Sequence, residues 1–478
     1  IEIEPDWVHL GQNKDGFAIN SYFIDHPEMM LGRETSESTQ YGKQDFTLAP
    51  LEGVSLKEQL AEAVKHIRGT YTEAELPDLS EGEAIRNGAR AEWRKARRRQ
   101  PAPPKKYTRR NIMSEKIKVG VLGATGMVGQ RYIKLLEDHP WFEVTYVAAS
   151  PRSAGKLYKD AVSSRWLIGA NIPAGVANLT VEDANDASKA IGKCKFVFSA
   201  LEMGKDEIKA LEKAYAAEGI PVVSNASANR WTEDVPMLIP EINFAHLDVI
   251  AEQKKHNGFE NGFVAVKPNC SLQTYMMPLH ALIQAGYPVK RMIVTTLQAT
   301  SGAGYPGVPS FDMIDNIVPF IGGEEEKTEK ECLKILGSVV DGKIKNAELP
   351  IVSSTCTRVP VIDGHTACVS LEFDLPEDKK PSLEEIEKIW TSYTSVPQEL
   401  NLPSAPKQPI VVRHEENRPQ PRRDREEGNG MSCVIGRLRP CNVFDVKFVA
   451  LSHNTKRGAA MGGILNAELL KAKGFFDF

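Results

Sequence analysis

The chain of 478 residues predicts an α/β fold, made of a doubly wound parallel sheet and a second, α+β domain. After residue 113, short β-branched or aromatic runs alternate with helical segments, which is typical of a parallel sheet. A glycine-rich turn follows the first of these runs. From about residue 290 the apolar runs lengthen and fewer helices separate them, which indicates a mostly antiparallel second sheet.

The predicted boundaries follow these changes of pattern. Residues 1–112 are expected to form a poorly structured extension, with one capped helix over residues 55–67 and a basic linker over residues 90–110. Residues 113–267 form the first α/β domain, completed by a terminal helix within residues 452–478. Residues 268–451 form the second domain.

Composition excludes several classes of protein. The net charge of −4 gives no general attraction to nucleic acid or to a membrane, and no apolar stretch is long enough to span one. All seven cysteines follow residue 190, and they form no CxxC pair. Their odd number and wide spacing argue against a disulfide framework and a zinc site. We therefore expect a cytoplasmic protein without a bound metal.

The glycine-rich turn GATGMVG predicts a dinucleotide site of the Rossmann type. Glycines at such a turn let the backbone approach a pyrophosphate, and the next helix presents free N–H groups to it. The predicted contacts are Gly123, Thr125, Gly126, Met127 and Val128.

The end of the second strand predicts which dinucleotide is bound. NAD-binding folds place an acidic residue there to bind the ribose hydroxyls, whereas this chain has Ser150, Arg152 and Ser153. Hydroxyl groups and a guanidinium suit a 2′-phosphate, so NADP is expected rather than NAD.

Cys270 is the candidate nucleophile. It follows the apolar run FVAVKP and precedes an amphipathic segment. A cysteine at a helix N-terminus has a lowered pKa, so a reactive thiolate is expected.

Six motifs occur in one order along the chain: GATGMVG, PNCSLQT, LQATSGAG, RVPVIDGH, NRPQPRRDR and LSHNTKRGAA. With them, residues 114–475 resemble the aspartate-semialdehyde dehydrogenases, most closely their archaeal and fungal branch. The resemblance implies NADP-dependent interconversion of aspartyl 4-phosphate and aspartate 4-semialdehyde through a cysteine thioester, a step in threonine, methionine, isoleucine and lysine biosynthesis. It also implies a homodimer or homotetramer built through the second domain, and inorganic phosphate as a co-substrate.

The resemblance assigns roles to individual residues. Cys270 is the nucleophile, His365 the general acid/base with a pKa near 6.5, and Gln298 orients the substrate. The substrate would be bound by Arg230, Arg358, Glu324 and Lys327. The third strand's exit and two later loops would contact the cofactor through Ser199, Ala200, Leu201, Ser301, Gly302 and Asn454.

Three alternatives stay open. A malonyl-CoA reductase uses the same scaffold and the same thioester chemistry, and an N-acetyl-glutamyl-phosphate reductase also uses Cys and His. The basic linker also permits a nucleic-acid-contacting arm fused to the enzyme, because Lys and Arg bind phosphates without sequence demand. The front segment resembles part of bacterial mobile-element proteins that combine helicase and DNA-methylase regions, but it includes no catalytic motif of either.

Overall fold

The computed structural model describes residues 116–478 and four short strands nearer the N-terminus. The chain divides into two compact units, Ile1–Ile112 and Met113–Phe478. The first unit contains an antiparallel sheet in the order β1-β2-β4-β3, which the sequence analysis does not predict. The helix and basic linker expected in this unit lie outside the described residues. Its strands are β1 Glu2–Glu4, β2 Trp7–Leu10, β3 Met30–Leu31 and β4 Phe46–Leu48.

A parallel six-stranded sheet begins the second unit, and it confirms the predicted doubly wound fold. Its order is β10-β9-β8-β5-β6-β7, with every pair parallel. The winding reverses between β5 and β8, so a crevice opens at the carboxyl ends of these strands. The strands are β5 Ile117–Leu122, β6 Phe142–Ala149, β7 Val181–Asp183, β8 Phe196–Ser199, β9 Val222–Ser224 and β10 Val264–Val266.

A mixed six-stranded sheet follows, in the order β14-β11-β15-β18-β17-β16. Three of its five strand pairs are antiparallel, as the longer runs predict. A separate hairpin joins β12 Ser338–Val340 to β13 Lys343–Lys345. The sheet strands are β11 Val289–Gln298, β14 Ile351–Arg358, β15 His365–Phe373, β16 Ile410–Arg413, β17 Cys433–Pro440 and β18 Val446–Ser452.

Seven helices of the described region have nine or more residues. They are α1 Met127–Leu135, α2 Lys205–Ala217, α3 Val249–Asn257, α4 Met276–Gln284, α5 Glu324–Ile335, α6 Leu383–Ser392 and α7 Ala460–Ala472. Shorter α-helical segments span Tyr158–Val162, Ala174–Ala177, Pro240–Asn243, Ser310–Met313, Val396–Glu399, Pro421–Asp424 and Glu427–Gly430. Single 3-10 turns span Ala187–Ala190, Phe244–Asp248, Leu272–Thr274, Thr300–Ala303 and Glu377–Lys379. No helix among the described residues is long and apolar enough to cross a membrane.

The terminal helix α7 packs on the parallel sheet rather than on the mixed sheet that precedes it in the chain. Its apolar residues Ile464 and Leu469 share a core with Phe196 and Phe198 of β8. Close approach to α1 requires a glycine, because a Cβ at Gly463 would lie 1.9 Å from the Tyr132 hydroxyl oxygen. The last helix of the chain therefore belongs to the hydrophobic core around the parallel sheet.

A buried carboxylate fixes α7 in this position. Glu468 is fully buried, and its Oε1 lies 2.9 Å from His139 Nε2 in the α1–β6 connection. The backbone N–H and the hydroxyl of Ser404 also donate to Glu468. Three chain segments far apart in sequence therefore meet at one group.

Glu468→Ala should destabilise the protein by about 3 kcal/mol, because it leaves several buried donors without an acceptor. We expect calorimetry to show a Tm lower by roughly 5 °C or more. Glu326→Ala, which removes an exposed helical glutamate, serves as the control and should stay within about 0.5 kcal/mol. Equal melting of the two variants would contradict the proposed role of Glu468.

Candidate active site

A cavity of about 390 Å³ collects residues from both sheets of the second unit. These residues come together because several strands of the mixed sheet begin or end at the cavity. Gln298 ends β11 and is the register partner of Arg358, which ends β14. His365 begins β15, antiparallel to β11, and pairs with Ser452 at the end of β18. One edge of the mixed sheet therefore presents several polar side chains together. The sequence-predicted residues that line the cavity are Met127, Val128, Arg230, Cys270, Gln298, Ser301, Gly302, Glu324, Arg358 and Asn454.

Cys270 lines this cavity, and His365, which is fully buried and outside the lining, contacts Cys270. The Sγ atom of Cys270 lies 3.2 Å from Nε2 of His365. The other ring nitrogen, Nδ1, accepts a hydrogen bond from the backbone N–H of Ala299 at 3.0 Å. Because Nδ1 is an acceptor, a neutral ring carries its proton on Nε2, facing the sulfur. His365 thus donates a hydrogen bond to Cys270.

The local structure at Cys270 differs from the expected helix N-terminus. A 3-10 turn, Leu272–Thr274, comes first, and α4 begins only at Met276. Burial raises the pKa of the Cys270 thiol, and the carboxylate of Glu324 raises it further. The predicted lowering of this pKa by a helix terminus is therefore wrong.

The charge on His365 also differs from expectation. Burial, with Arg358 as the strongest neighbouring cation, lowers the pKa of His365 to about 3 instead of the expected 6.5. The imidazole is consequently neutral at pH 7. An uncharged donor, rather than an imidazolium, faces the thiol of the free protein.

Arg358 lies beside this pair and is almost completely buried. Its Nη1 donates to the carbonyl oxygen of Ala299 at 2.8 Å, so the Ala299 backbone positions both Arg358 and His365. Gly302 permits the close packing, since a Cβ there would lie 2.8 Å from Arg358 Nη1 and 3.1 Å from His365 Cε1. The remaining guanidinium N–H groups can bind a carboxylate.

Glu324 is the acidic group predicted for the cavity, which Glu202 also lines, and it begins α5. Both of its oxygens accept from Asn269 Nδ2, and Lys327 Nζ lies 2.7 Å from Oε1. Gln298 Nε2 donates to Oε2 at 3.3 Å. Glu324 retains a lowered pKa despite its burial, because Lys327 and these donors favour the carboxylate. Lys327 itself touches Glu324 but does not line the cavity.

Arg230 reaches the cavity from the parallel sheet, although part of its donor capacity is already used. Its Nη1 forms a buried ion pair with Glu331 at 3.0 Å, and Nε donates to the backbone carbonyl of Lys267. Glu331 also accepts the backbone N–H of Asn269, next to the nucleophile. Arg230 is thus rigidly positioned, with free N–H groups remaining for an anion.

The glycine-rich turn has the geometry that a dinucleotide pyrophosphate needs. Gly123 has φ +71°, and a Cβ there would lie 2.3 Å from the carbonyl oxygen of Ala200. A Cβ at Gly129 would lie 2.2 Å from the Gly123 carbonyl oxygen. Helix α1 begins without a side-chain cap at Gly126, so its first N–H groups remain available to an anion. These features fit a dinucleotide at the turn.

The remaining predicted cofactor residues lie outside the cavity lining. Ser150 and Arg152 are exposed beyond the end of β6, whereas Ser153 is buried. At the end of β8, the fourth rather than the third strand of the parallel sheet in chain order, the Ser199 hydroxyl is fully buried and donates to Glu212, so this side chain braces the strand. Thr125 and Leu201 are also buried.

Asn454 connects two loops of the site. Its Oδ1 accepts the backbone N–H of Gly364, directly before His365, and its Nδ2 donates to Ser301 Oγ at 2.8 Å. The side chain therefore links the segment after β11 to the start of β15. Asn454 therefore both lines the cavity and holds two of its loops together.

Sequence reasoning missed several residues of the cavity. Lys267 is fully buried, its Nζ donates to the Pro268 carbonyl oxygen, and burial lowers its pKa to about 7. Gly458 must lack a side chain, since a Cβ there would lie 2.8 Å from Cys270 Cβ. Position beside Cys270 could have indicated Asn269, which lies within PNC, and Lys267, which directly precedes PNC. The other residues that were missed are Arg131, Glu202, Asn225, Ala303, Gly304, Ile321, Thr455 and Ala459.

No cluster of potential metal ligands occurs among residues 116–478.

Comparisons with known proteins give this geometry a family. The model of the semialdehyde dehydrogenase NAD-binding domain matches residues 118–250, and that of the semialdehyde dehydrogenase dimerisation domain matches residues 279–457. The aspartate-semialdehyde dehydrogenase of Cryptococcus neoformans is 46% identical over 365 residues, which cover 76% of this chain and 98% of that protein. The enzyme of the same name from Methanothermobacter thermautotrophicus is 46% identical over 74% of this chain and 99% of its own length.

A solved structure agrees with these relatives. The aspartate-semialdehyde dehydrogenase of Candida albicans, crystallised with NADP, superposes with a TM-score of 0.68 and is 41% identical. The superposition covers 75% of this chain and 99% of that one. This chain therefore belongs to the aspartate-semialdehyde dehydrogenase family, as its motifs predict.

Proposed function

We propose that this protein interconverts L-aspartyl 4-phosphate and L-aspartate 4-semialdehyde, with NADP(H) as cofactor and a thioester on Cys270 as intermediate. The observation that carries the proposal is the Cys270–His365 contact, 3.2 Å long, at the wall of a cavity that is also lined by Arg230, Arg358 and Glu324. Family membership supports the same reaction.

The proposed first step is acyl transfer to sulfur. The proton of the Cys270 thiol passes to the phosphate of aspartyl phosphate, and the sulfur attacks the acyl carbon, so a C–S bond forms as the bond to the phosphate oxygen breaks and hydrogen phosphate leaves. His365 holds a proton at Nε2 and donates a hydrogen bond, first to the sulfur and then to a neighbouring oxygen. NADPH, bound at the glycine-rich turn, supplies the hydride chemistry that relates the thioester to the aldehyde.

The charges of the cavity match the groups of this substrate. Arg358 would bind the α-carboxylate through its free N–H groups, and Arg230 would bind the phosphate. Glu324 would accept the α-ammonium group, with Lys327 adjusting its position through their ion pair. Gln298, buried at the end of β11, would orient the acyl group.

Glu324 also favours this substrate over malonyl-CoA. Malonyl-CoA has a carboxylate but no ammonium group, so it would leave a buried, ionised Glu324 facing the ligand without a new cation. Lys327 would then remain the one charged partner of Glu324 within residues 116–478 while a second carboxylate, that of the malonyl group, enters the same cavity, which disfavours that alternative.

We assign the domains on the same basis. Residues 113–267, with the terminal helix within residues 452–478, would bind NADP, and residues 268–451 would form the catalytic and dimerisation domain. Residues 1–112 would take no part in the reaction, and no nucleic-acid partner is proposed for them. The proposed location is the cytoplasm, since all seven cysteines are free thiols, which suits a reducing compartment.

A homodimer is the proposed assembly, with a homotetramer as a dimer of such dimers. The segment 305–320, inside the match to the dimerisation domain, exposes several large apolar side chains. Phe311 is 91% exposed and Ile314 is 68% exposed. So concentrated an apolar surface is typical of a protein–protein contact. The other exposed members of the segment are Tyr305, Ile317 and Phe320.

The reaction can be tested with L-aspartate semialdehyde, NADP and phosphate, by following NADPH absorbance. We expect phosphate-dependent NADPH formation, and no NADPH oxidation by malonyl-CoA. Cys270→Ser should lower the rate by about 10²-fold or more, because the hydroxyl is a much weaker nucleophile, while NADP still binds. Cys368→Ser, which changes an exposed thiol on β15, is the control and should keep full activity. Substantial turnover by the Cys270 variant would reject the proposed nucleophile.

The depressed pKa of His365 predicts a loss of stability in acid. The unfolded chain binds a proton on this imidazole below about pH 6.5, whereas the folded protein binds it only near pH 3. Unfolding is therefore favoured as the pH falls through this window. Between pH 7 and pH 5 the wild type should lose about 2 kcal/mol that His365→Gln does not lose.

Chemical unfolding at the two pH values measures this difference. The control is His256→Gln, because the His256 side chain is 73% exposed, and this variant should lose as much stability as the wild type. Identical losses in all three proteins would show that His365 titrates normally in the folded state.

Disruption of the apolar segment should dissociate the proposed dimer. Phe311→Asp combined with Ile314→Asp places charges on the contact, so light scattering should show the mass of one chain. Val443→Asp is the control, since Val443 is 79% exposed on the β17–β18 connection, away from this segment in sequence. Retention of the wild-type mass by the double variant would exclude this surface as the interface.

A further inference from the structure

Arg165 lies outside every motif that the sequence analysis identified. It is exposed, and its Nη2 donates to the hydroxyl of Ser153 at 3.2 Å. Ser153 follows β6, is only 2% exposed, and is held in its turn by a hydrogen bond from its backbone N–H to the Ser150 carbonyl. The guanidinium of Arg165 therefore lies at the carboxyl end of the second strand, in contact with the residue that follows Arg152.

The backbone of Arg165 is fixed to the glycine-rich turn through Gln130 of α1. The Nε2 atom of Gln130 donates to the carbonyl oxygens of both Thr125 and Arg165, at 3.0 and 2.9 Å. Its Oε1 accepts the backbone N–H of Leu167 at 2.8 Å. Gln130 is 1% exposed, so this amide is a buried connection between the two segments. Arg165 is consequently positioned relative to the same turn that would bind the pyrophosphate.

The chemistry of this position suits a phosphate. Within residues 116–478, the arginines that pair with carboxylates do not include Arg152 or Arg165. The Arg165 guanidinium thus contacts the Ser153 hydroxyl without a carboxylate partner among these residues, and Arg152, also without one, is the residue before Ser153. Planar guanidinium groups bind phosphate oxygens through paired hydrogen bonds, and the end of the second strand is where such folds distinguish a 2′-phosphate from a 2′-hydroxyl.

We propose that Arg165 is a second arginine of the adenosine 2′-phosphate subsite, and that it determines cofactor specificity together with Arg152. This inference rests on the proposed use of NADP and names a residue of the same site. Ser153 has a bridging role in it, because its hydroxyl orients the Arg165 guanidinium and can donate its own proton to the phosphate.

Two half-cofactors isolate the 2′-phosphate from the rest of the dinucleotide. Calorimetric titration of the full chain with adenosine 2′,5′-bisphosphate and with 5′-AMP measures the phosphate preference without turnover. Arg165→Ala should weaken binding of the bisphosphate by about tenfold or more, which corresponds to one lost charged hydrogen-bond pair, and leave 5′-AMP binding unchanged. Arg165→Lys keeps the charge but not the fork, so an intermediate loss is expected. Arg439→Ala, on an exposed arginine of β17, is the control and should bind both compounds as the wild type does.

The outcomes separate this inference from the proposed function. A wild type that prefers the bisphosphate, with an Arg165→Ala variant that keeps the full preference, would overturn the role of Arg165 and leave NADP use intact. Equal loss of both compounds would show that Arg165 only supports the turn, and would overturn the inference as well. A wild type without any preference for the bisphosphate would reject NADP use itself, and the inference with it.

Discussion

The burial of one sulfur atom between two sheets is the constraint on which the rest of the site depends. Cys270 follows the last strand of the parallel sheet, and it meets His365 at the first residue of a strand in the mixed sheet. Desolvation opposes ionisation of the thiol, as does Glu324, whereas Lys267, Arg230 and Arg358 favour it. Cys270 is only partly exposed, so the neighbouring cations favour a thiolate that desolvation disfavours.

During the proposed reaction, the negative charge that faces these cations stays nearly constant. The thiolate loses its negative charge when the C–S bond forms, and the departing phosphate gains negative charge at the same time. If both anions lie within reach of Arg230 and Lys267, the charge moves over a short distance inside one cationic environment. Little reorganisation is then required, which is how preorganised electrostatics lower a barrier. A neutral His365 agrees with this picture, since it supplies a hydrogen bond without adding a further full charge.

Much of the fold and several parts of the site could be predicted from the sequence. Alternating apolar runs and helices predicted the parallel sheet, since their period and length are local properties. Motif order predicted the family, and the cavity brings together Cys270, Gln298, Glu324 and Arg358. From the sequence alone, the three adjacent glutamates of GEEEK left open which of them faces the cavity. The placement of α5 in the fold brings Glu324 to the cavity wall. Glu324 is 7% exposed in the cavity, whereas Glu326 is exposed to solvent.

The errors have a common physical origin in tertiary environment. Sequence spacing placed Cys270 before a helix, but it could not show the 3-10 turn that delays α4, nor the desolvation that raises the thiol pKa. Likewise, the ordinary pKa of histidine gave no warning that burial beside Arg358 would keep His365 neutral. Lys267 was overlooked because a single lysine in an apolar run carries no motif. Its importance arises only when the fold buries its ammonium group beside the nucleophile, where lost solvation and, secondarily, the neighbouring Arg230 lower its pKa to about 7. Charge in this site is thus a property of the folded cavity, and residue type alone determines which groups are present but not which of them are ionised.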